Sequence, residues 1–309
     1  MVRDLRALKD YEQYPVDKYF IIGEFDQLAK NDEDKEVPCQ GFIGSSKSIL
    51  NNLTKLTQAQ PDGLVLYLDG TYKLLINGWV LILLGGVTIK LTSAGAYSHS
   101  FVPILECITR SECEPAFSAL FRALCLVADK YATMTLKISV LVQDHCQASA
   151  NAVRNTLQRL LPQVKRKYFI MIIIYLLTLA LEKENEVLLG GCETHVLRKI
   201  DEQKRLLQNN DYYEATVQPF FRDLVNSANE SIFFLLIGYA IKDWQSKIAF
   251  RPFVAWLQKV YINVTWYRFA NYVTPPGCDT KNQILEACNK GMLNFLAKKV
   301  NTTRSYITC

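Results

Sequence analysis

No Cys-x-x-Cys pair occurs in the sequence, although nine cysteines stand at 39, 107, 113, 125, 146, 192, 278, 288 and 309. A zinc module of the usual paired spacing is thereby excluded, and most of these thiols are expected to serve as small buried apolar groups. Long apolar runs are lacking too. The longest, YFIMIIIYLLTLAL at 168–181, is flanked by KRK and EKEN and falls short of the roughly 20 residues that cross a bilayer, so it predicts a buried strand and helix. Charge of one sign is not in large excess: 35 Lys+Arg face 30 Asp+Glu, and a net +5 permits a polyanionic partner without requiring one. The opening MVRDLRALKDYEQY has no basic stretch followed by an apolar one, which argues against a secretory signal and predicts a reducing compartment. Internal repeats, low-complexity tracts and a separating linker are all absent. A chain of 309 residues, half of them apolar, has enough material for one large core or two modest ones.

Residues 1–60 are patchily charged, with NDEDKE at 31–36 and GSSKSILNNLTKL at 44–56, and predict a helical and loop lead-in outside any sheet. From Gly63 the pattern changes. GLVLYLD, WVLILLGGVTI at 79–89 and HSFVPILECI at 99–108 are β-rich runs, and Asn77-Gly78 and Ala94-Gly95 suit hairpin turns between them. EPAFSALFRALCLVADKY at 114–131 has helical apolar spacing, with Pro115 near the start, where its missing N–H costs nothing. LKISVLVQD at 136–144 predicts a fourth strand, QASANAVRNTLQRLLP at 147–162 a second helix, and 167–174 a fifth strand. Beyond residue 181 the strand signal fades, several helices are expected to about Trp266, and a last helix begins near Thr280.

The order β-β-β-α-β-α predicts an α/β protein of the RNase H-like class: a mixed five-stranded sheet with flanking helices and an all-α insertion before the last catalytic helix. The expected divisions are a lead-in over 1–60, a core over 61–194, a helical insertion over 195–275 and a catalytic helix and tail over 276–309.

Cutting or joining a phosphodiester requires charge neutralisation on both the attacking and the leaving oxygen, which two hard divalent cations held by carboxylates provide. Acids at the ends of adjacent strands are therefore the candidates. Asp69 ends GLVLYL and Asp144 ends LKISVLVQ, and the first and fourth strands of such a sheet are neighbours. Glu286, on the last helix, completes the set. Each residue also has an ordinary reading: Asp69 as a turn residue before Gly-Thr, Asp144 likewise, and Glu286 as a solvated helix side chain.

These blocks resemble the Mutator-like family of DDE transposases. The resemblance is carried by DGTYKL at 69–74, HSFVP at 99–103, the acids at 112–114, Asp144 with its following helix, CETHVLRK at 192–199 and WYRFANYVTPPGCDTKNQILEACN at 266–289. It implies that Asp69, Asp144 and Glu286 hold Mg²⁺ or Mn²⁺, and that Asn282 and Asn289 share the helix face of Glu286. The alternative for those amides is capping and surface solvation. Cys192 and His195 correspond to the family's Cys-x-x-His block, in which His195 supports the active site or is simply a packed histidine; zinc would need two further ligands, and none stands at suitable spacing nearby.

Arg198, Lys199, Lys281, Asn282, Asn289 and Lys290 are the expected DNA contacts, with Lys204, Arg205, Lys298, Lys299 and Arg304 as further phosphate-binding or merely solvated basic residues. Trp266 and Tyr267 are either base-stacking or core aromatics. By resemblance the partners are transposon-end and target DNA, the assembly on DNA is a homo-oligomer, the location is nuclear, and neither a membrane nor a small-molecule substrate is involved.

Two departures stand out: Lys281 brings a positive charge five residues before Glu286, and 170–191 is a longer spacer than the family pattern. With no zinc-type DNA-binding module in the sequence, a truncated or degenerate element copy is expected. The alternatives are a domesticated, non-catalytic DNA-binding regulator and an RNase H-like repair or processing nuclease.

Overall fold

The computed structural model describes residues 18–30, 35–71, 78–93, 95, 97–130, 132, 134–144, 146–161, 187–262 and 268–274. Seven strands form one mixed sheet: β1 (Tyr19–Lys30), β2 (Glu36–Ser46), β3 (Leu64–Thr71), β4 (Val80–Leu91), β5 (Tyr97–Thr109), β6 (Ile138–Gln143) and β7 (Leu188–Gly191). Their spatial order is β1-β2-β5-β4-β3-β6-β7. The β1–β2, β2–β5, β5–β4 and β4–β3 pairs are antiparallel, whereas β3–β6 and β6–β7 are parallel.

Central position explains composition here. In β3, residues Leu64 to Leu68 are each no more than 2% exposed, and β6 is nearly as buried, as expected of parallel strands covered on both faces. The two hairpin turns foreseen from sequence contain Gly78 at φ 73° and Gly95 at φ 76°, the left-handed region where a β-carbon is disfavoured.

Two expectations about the sheet need correction. Residues 1–60 are not merely a lead-in: from Tyr19 they supply β1, β2 and helix α1 (Lys47–Ala59), and β2 pairs with β5 over Gly41–Gly44, so the sheet has seven strands among the described residues where five were expected. The acidic run obscured this, because it falls between β1 and β2 while Phe20, Ile22 and Phe25 turn inward. Ser46 starts α1 by accepting a hydrogen bond from the Ile49 N–H at 3.3 Å, and Leu50, Leu53 and Leu56 form its buried stripe. α1 sits so close to β4 that a β-carbon on Gly86 would lie 2.7 Å from Leu56 Cδ1.

The strand beside β6 is Leu188–Gly191, and the expected strand at 167–174 lies outside the described residues. A four-residue strand of Leu and Gly offers almost no periodicity for a sequence reading to detect.

Helices α2 (Glu114–Lys130) and α3 (147–160) pack on the same face as α1, joined to each other by Thr156 Oγ1 donating to Ser118 Oγ at 2.9 Å and Asn155 Nδ2 donating to Glu114 Oε1 at 2.8 Å. Acidic Glu114 at the start of α2 and basic Lys130 at its end complement the helix dipole. Cys39 of β2 and Cys113 before α2 form a disulfide, so these two depart from the buried thiols expected of most of the cysteines. Cys107 and Cys192 are buried and take part in no disulfide.

After β7 the described chain is helical: α4 (Glu193–Glu202), α5 (210–225), α6 (Glu230–Ser246) and α7 (251–262). Its interior is aromatic, with Trp244 edge-on to Phe220 at 5.5 Å and to Phe253 at 5.9 Å, and Phe233 edge-on to Phe269 at 5.4 Å. Tyr272 and Val273 then return to the sheet, packing against Val65, Tyr67, Val87, Val140 and Val142 on the face opposite α1 to α3. No described helix is long and apolar enough to cross a membrane, and 168–181 lies outside the described residues.

Candidate metal centre at the ends of β3 and β6

Register brings two of the three expected acids side by side. The last recorded pair between the parallel strands β3 and β6 is Leu68 with Gln143, and Asp69 and Asp144 each follow by one residue. Side chains alternate along a strand, so Asp69 continues the face of Val65 and Tyr67, and Asp144 that of Val140 and Val142. Both acids thus emerge on the face to which Val273 returns. Asp69 is 9% exposed. Across the sheet its row continues through Leu83 of β4 to Glu106 of β5.

The end of β6 is tightly fixed. Ser149 Oγ donates to Gln143 Oε1, the Cys192 N–H donates to the Gln143 carbonyl at 3.0 Å, and the Cys146 N–H donates to the Asp144 carbonyl at 2.6 Å. On the neighbouring strand the Gly191 N–H donates to the Arg268 carbonyl at 2.8 Å, tying β7 to the chain that returns from the helical half.

β7 then delivers α4. Cys192 is its N-cap residue and fully buried, and His195 lies one turn in. His195 Nδ1 approaches Asp144 Oδ1 to 2.6 Å, with the imidazole side chain 13% and the carboxylate side chain 37% exposed. Burial by itself would lower the histidine pKa, but Asp144 and Cys192 beside it outweigh that and raise it to about 10. One donor atom each from Asp144, Cys192 and His195 lies within 4.8 Å of the other two. The expectation that the Cys-x-x-His pair has no further ligand nearby is therefore corrected. Its third partner is Asp144, invisible to spacing rules because the β6–β7 pairing makes the contact.

The remaining expected residues divide into two groups. Arg198 and Lys199 are exposed on α4, where Lys199 Nζ donates to Glu202 Oε2 at 2.9 Å. Lys204 lies 3.7 Å from Asp201. Trp266, Tyr267, Lys281, Asn282, Glu286, Asn289, Lys290, Lys298, Lys299 and Arg304 lie outside the described residues.

Glu106, in the row of Asp69, is a further acid that was not among the expected residues. Its carboxyl is half-buried and interacts with Tyr19, and burial raises its pKa against the smaller lowering effect of that hydrogen bond. The available signal was an acid inside the apolar run FVPILECI.

Fold and site together define a mixed α/β protein with carboxylates at the ends of its central parallel strands and an Asp-Cys-His group beside them. Comparison with family models and with curated proteins gives no match for this chain.

Proposed function

We propose that the chain is a polynucleotidyl transferase of the DDE transposase kind, built on an RNase H-like sheet and acting on transposon-end and target DNA. The observation that carries this reading is the placement of Asp69 and Asp144 one residue beyond a parallel pair, on one face of two neighbouring strands. The order β5-β4-β3-β6-β7, with β3, β6 and β7 parallel, supports the fold assignment because it is the strand arrangement of the RNase H-like class. A second support is the path of the chain: Val273 lies on the aspartate face, so the segment leading to Glu286 starts from that side.

The two aspartates suit hard cations, being oxygen donors at adjacent positions with Asp144 partly open to solvent. Bound Mg²⁺ or Mn²⁺ supplies activation of water or a 3′-hydroxyl and neutralises the leaving oxygen. Asp69, nearly buried, is a ligand held rigid by β3. His195 holds one oxygen of Asp144 and leaves the other to face the reaction, a positioning role. Glu286 is the third carboxylate of this reading, with Asn282 and Asn289 on its helix face. Arg198 and Lys199, exposed on α4, are the phosphate contacts, joined by Lys281 and Lys290. Nuclear location and homo-oligomeric assembly on DNA belong to the same proposal.

The ion pair between His195 and Asp144 favours a second reading, a domesticated DNA-binding regulator in which Asp144 has a structural partner instead of a cation. One experiment separates the two. Purified protein is incubated with element-end DNA and Mn²⁺, and strand nicking is compared with that of Asp69→Ala. Nicking by the wild type alone supports the transferase, and equal nicking by both, or by neither, removes it.

A further inference from the structure

We infer that Asp144, Cys192 and His195 form a binding site for one borderline-soft divalent cation of the zinc class. Thiolate, imidazole and carboxylate are the three donor types that zinc accepts, and three protein ligands with a fourth position left open is a recurrent zinc arrangement. Magnesium is disfavoured here, because it demands oxygen ligands in octahedral geometry and this group offers sulfur and nitrogen.

The geometry needs little change. Tetrahedral zinc with bonds of about 2.0–2.3 Å holds its donors about 3.3–3.6 Å apart. The donors now lie within 4.8 Å of one another, and His195 Nδ1 and Asp144 Oδ1 must open from 2.6 Å. Shifts of about 1 Å in side-chain ends accomplish both, with the metal taking the place between nitrogen and oxygen. Protons carried by the ligating atoms leave to solvent as the metal enters.

The backbone is already fixed around the group. The Cys192 N–H bonds to the Gln143 carbonyl at 3.0 Å and so joins the two segments that carry the donors, while the Cys146 N–H bonds to the Asp144 carbonyl at 2.6 Å and fixes the turn after β6. Cys192 is fully buried, and the exposed part of Asp144 supplies the way in.

This site goes beyond the transferase reading and does not depend on it. The two meet at Asp144: a carboxylate engaged with zinc is withdrawn from the pair of hard cations, so zinc would act against strand cleavage.

The test needs no DNA. The full chain, freed of metal with a chelator, is titrated with Co²⁺ and then Zn²⁺, and the near-ultraviolet thiolate-to-cobalt charge-transfer band is recorded. One equivalent of Co²⁺ per chain should develop the band, and one equivalent of Zn²⁺ should remove it. Cys192→Ser should abolish the band, His195→Gln should weaken Co²⁺ binding at least about tenfold, and Cys125→Ser, a change at a remote half-buried thiol, should leave the band intact. Circular dichroism checks that each variant is folded, and His195→Gln carries the test should Cys192→Ser fail to fold. Absence of the band in the wild type, its persistence in Cys192→Ser, or unchanged affinity in His195→Gln overturns the proposal. Loss of nicking in Asp69→Ala with an unaltered cobalt band leaves the two readings separately judged.

Discussion

One face of the sheet lies under α1, α2 and α3, where Leu66, Leu68, Ile82, Leu84, Phe117, Phe121 and Leu124 belong to a single buried cluster. The opposite face has two small apolar groups, one of Val65, Tyr67, Val87, Val140, Val142 and Val273, the other of Leu81 and Leu83. On that same face the strand alternation places Asp69 and Asp144, with Glu106 two strands from Asp69 in its row. Adjacent strands are about 4.8 Å apart, so the Glu106 and Asp69 positions stand within about 10 Å of each other across the sheet with only Leu83 between. The first face holds most of the buried apolar core, and the second carries the acids of the candidate site.

The largest effect that would test this division is on activity. Asp69→Ala should reduce Mn²⁺-dependent nicking by about 10²–10³-fold or more, the scale seen when one charge-stabilising group is removed from an active site. Its thermal midpoint should stay near that of the wild type. A variant that loses the fold together with the activity would place Asp69 on the structural side of the comparison.

Next comes the covered face. Phe121 is fully buried between helix and sheet, and Phe121→Ala should cost about 3–5 kcal/mol in urea unfolding, through lost transfer energy and the cavity left behind. Whatever nicking survives should follow the folded fraction alone. Val65→Ala, on the other face at 2% exposure, removes two methyl groups and should cost about 2 kcal/mol. Equal losses at the two positions would mean that both faces are packed alike and that the division is wrong.

Much of the central arrangement was legible beforehand, for a physical reason. β3 and β6 are short apolar runs ended by an acid, and α2 and α3 have helical spacing over more than three turns, so period and punctuation agree. β1 and β2 were not legible, because their inward residues are diluted by Glu24, Asp26 and Glu36 and the connection between them is acidic. β7 was missed because four residues of Leu and Gly have no period to read. At the candidate site, the adjacency of Asp69 and Asp144 was legible from the strand order, and Cys192 with His195 from their spacing. The Asp144 to His195 contact depends on β6–β7 register, which no local pattern encodes.

The smallest effect concerns Glu106, and it bears on the cost of carrying acids on the second face. Burial raises the carboxyl pKa in the folded chain, more than the Tyr19 hydrogen bond lowers it. A raised folded-state pKa means that the fold prefers the protonated form. The associated stability is fully present below the unfolded value, about 4.3, and is lost as pH rises through the folded value. Glu106→Gln keeps an acceptor for Tyr19 and removes the charge. The variant should match the wild type in urea titrations at low pH and exceed it at neutral pH, by less than about 1 kcal/mol. A wild type that gains on the variant as pH rises would reverse the sign, and would mean that the second face stabilises the Glu106 charge instead of tolerating it.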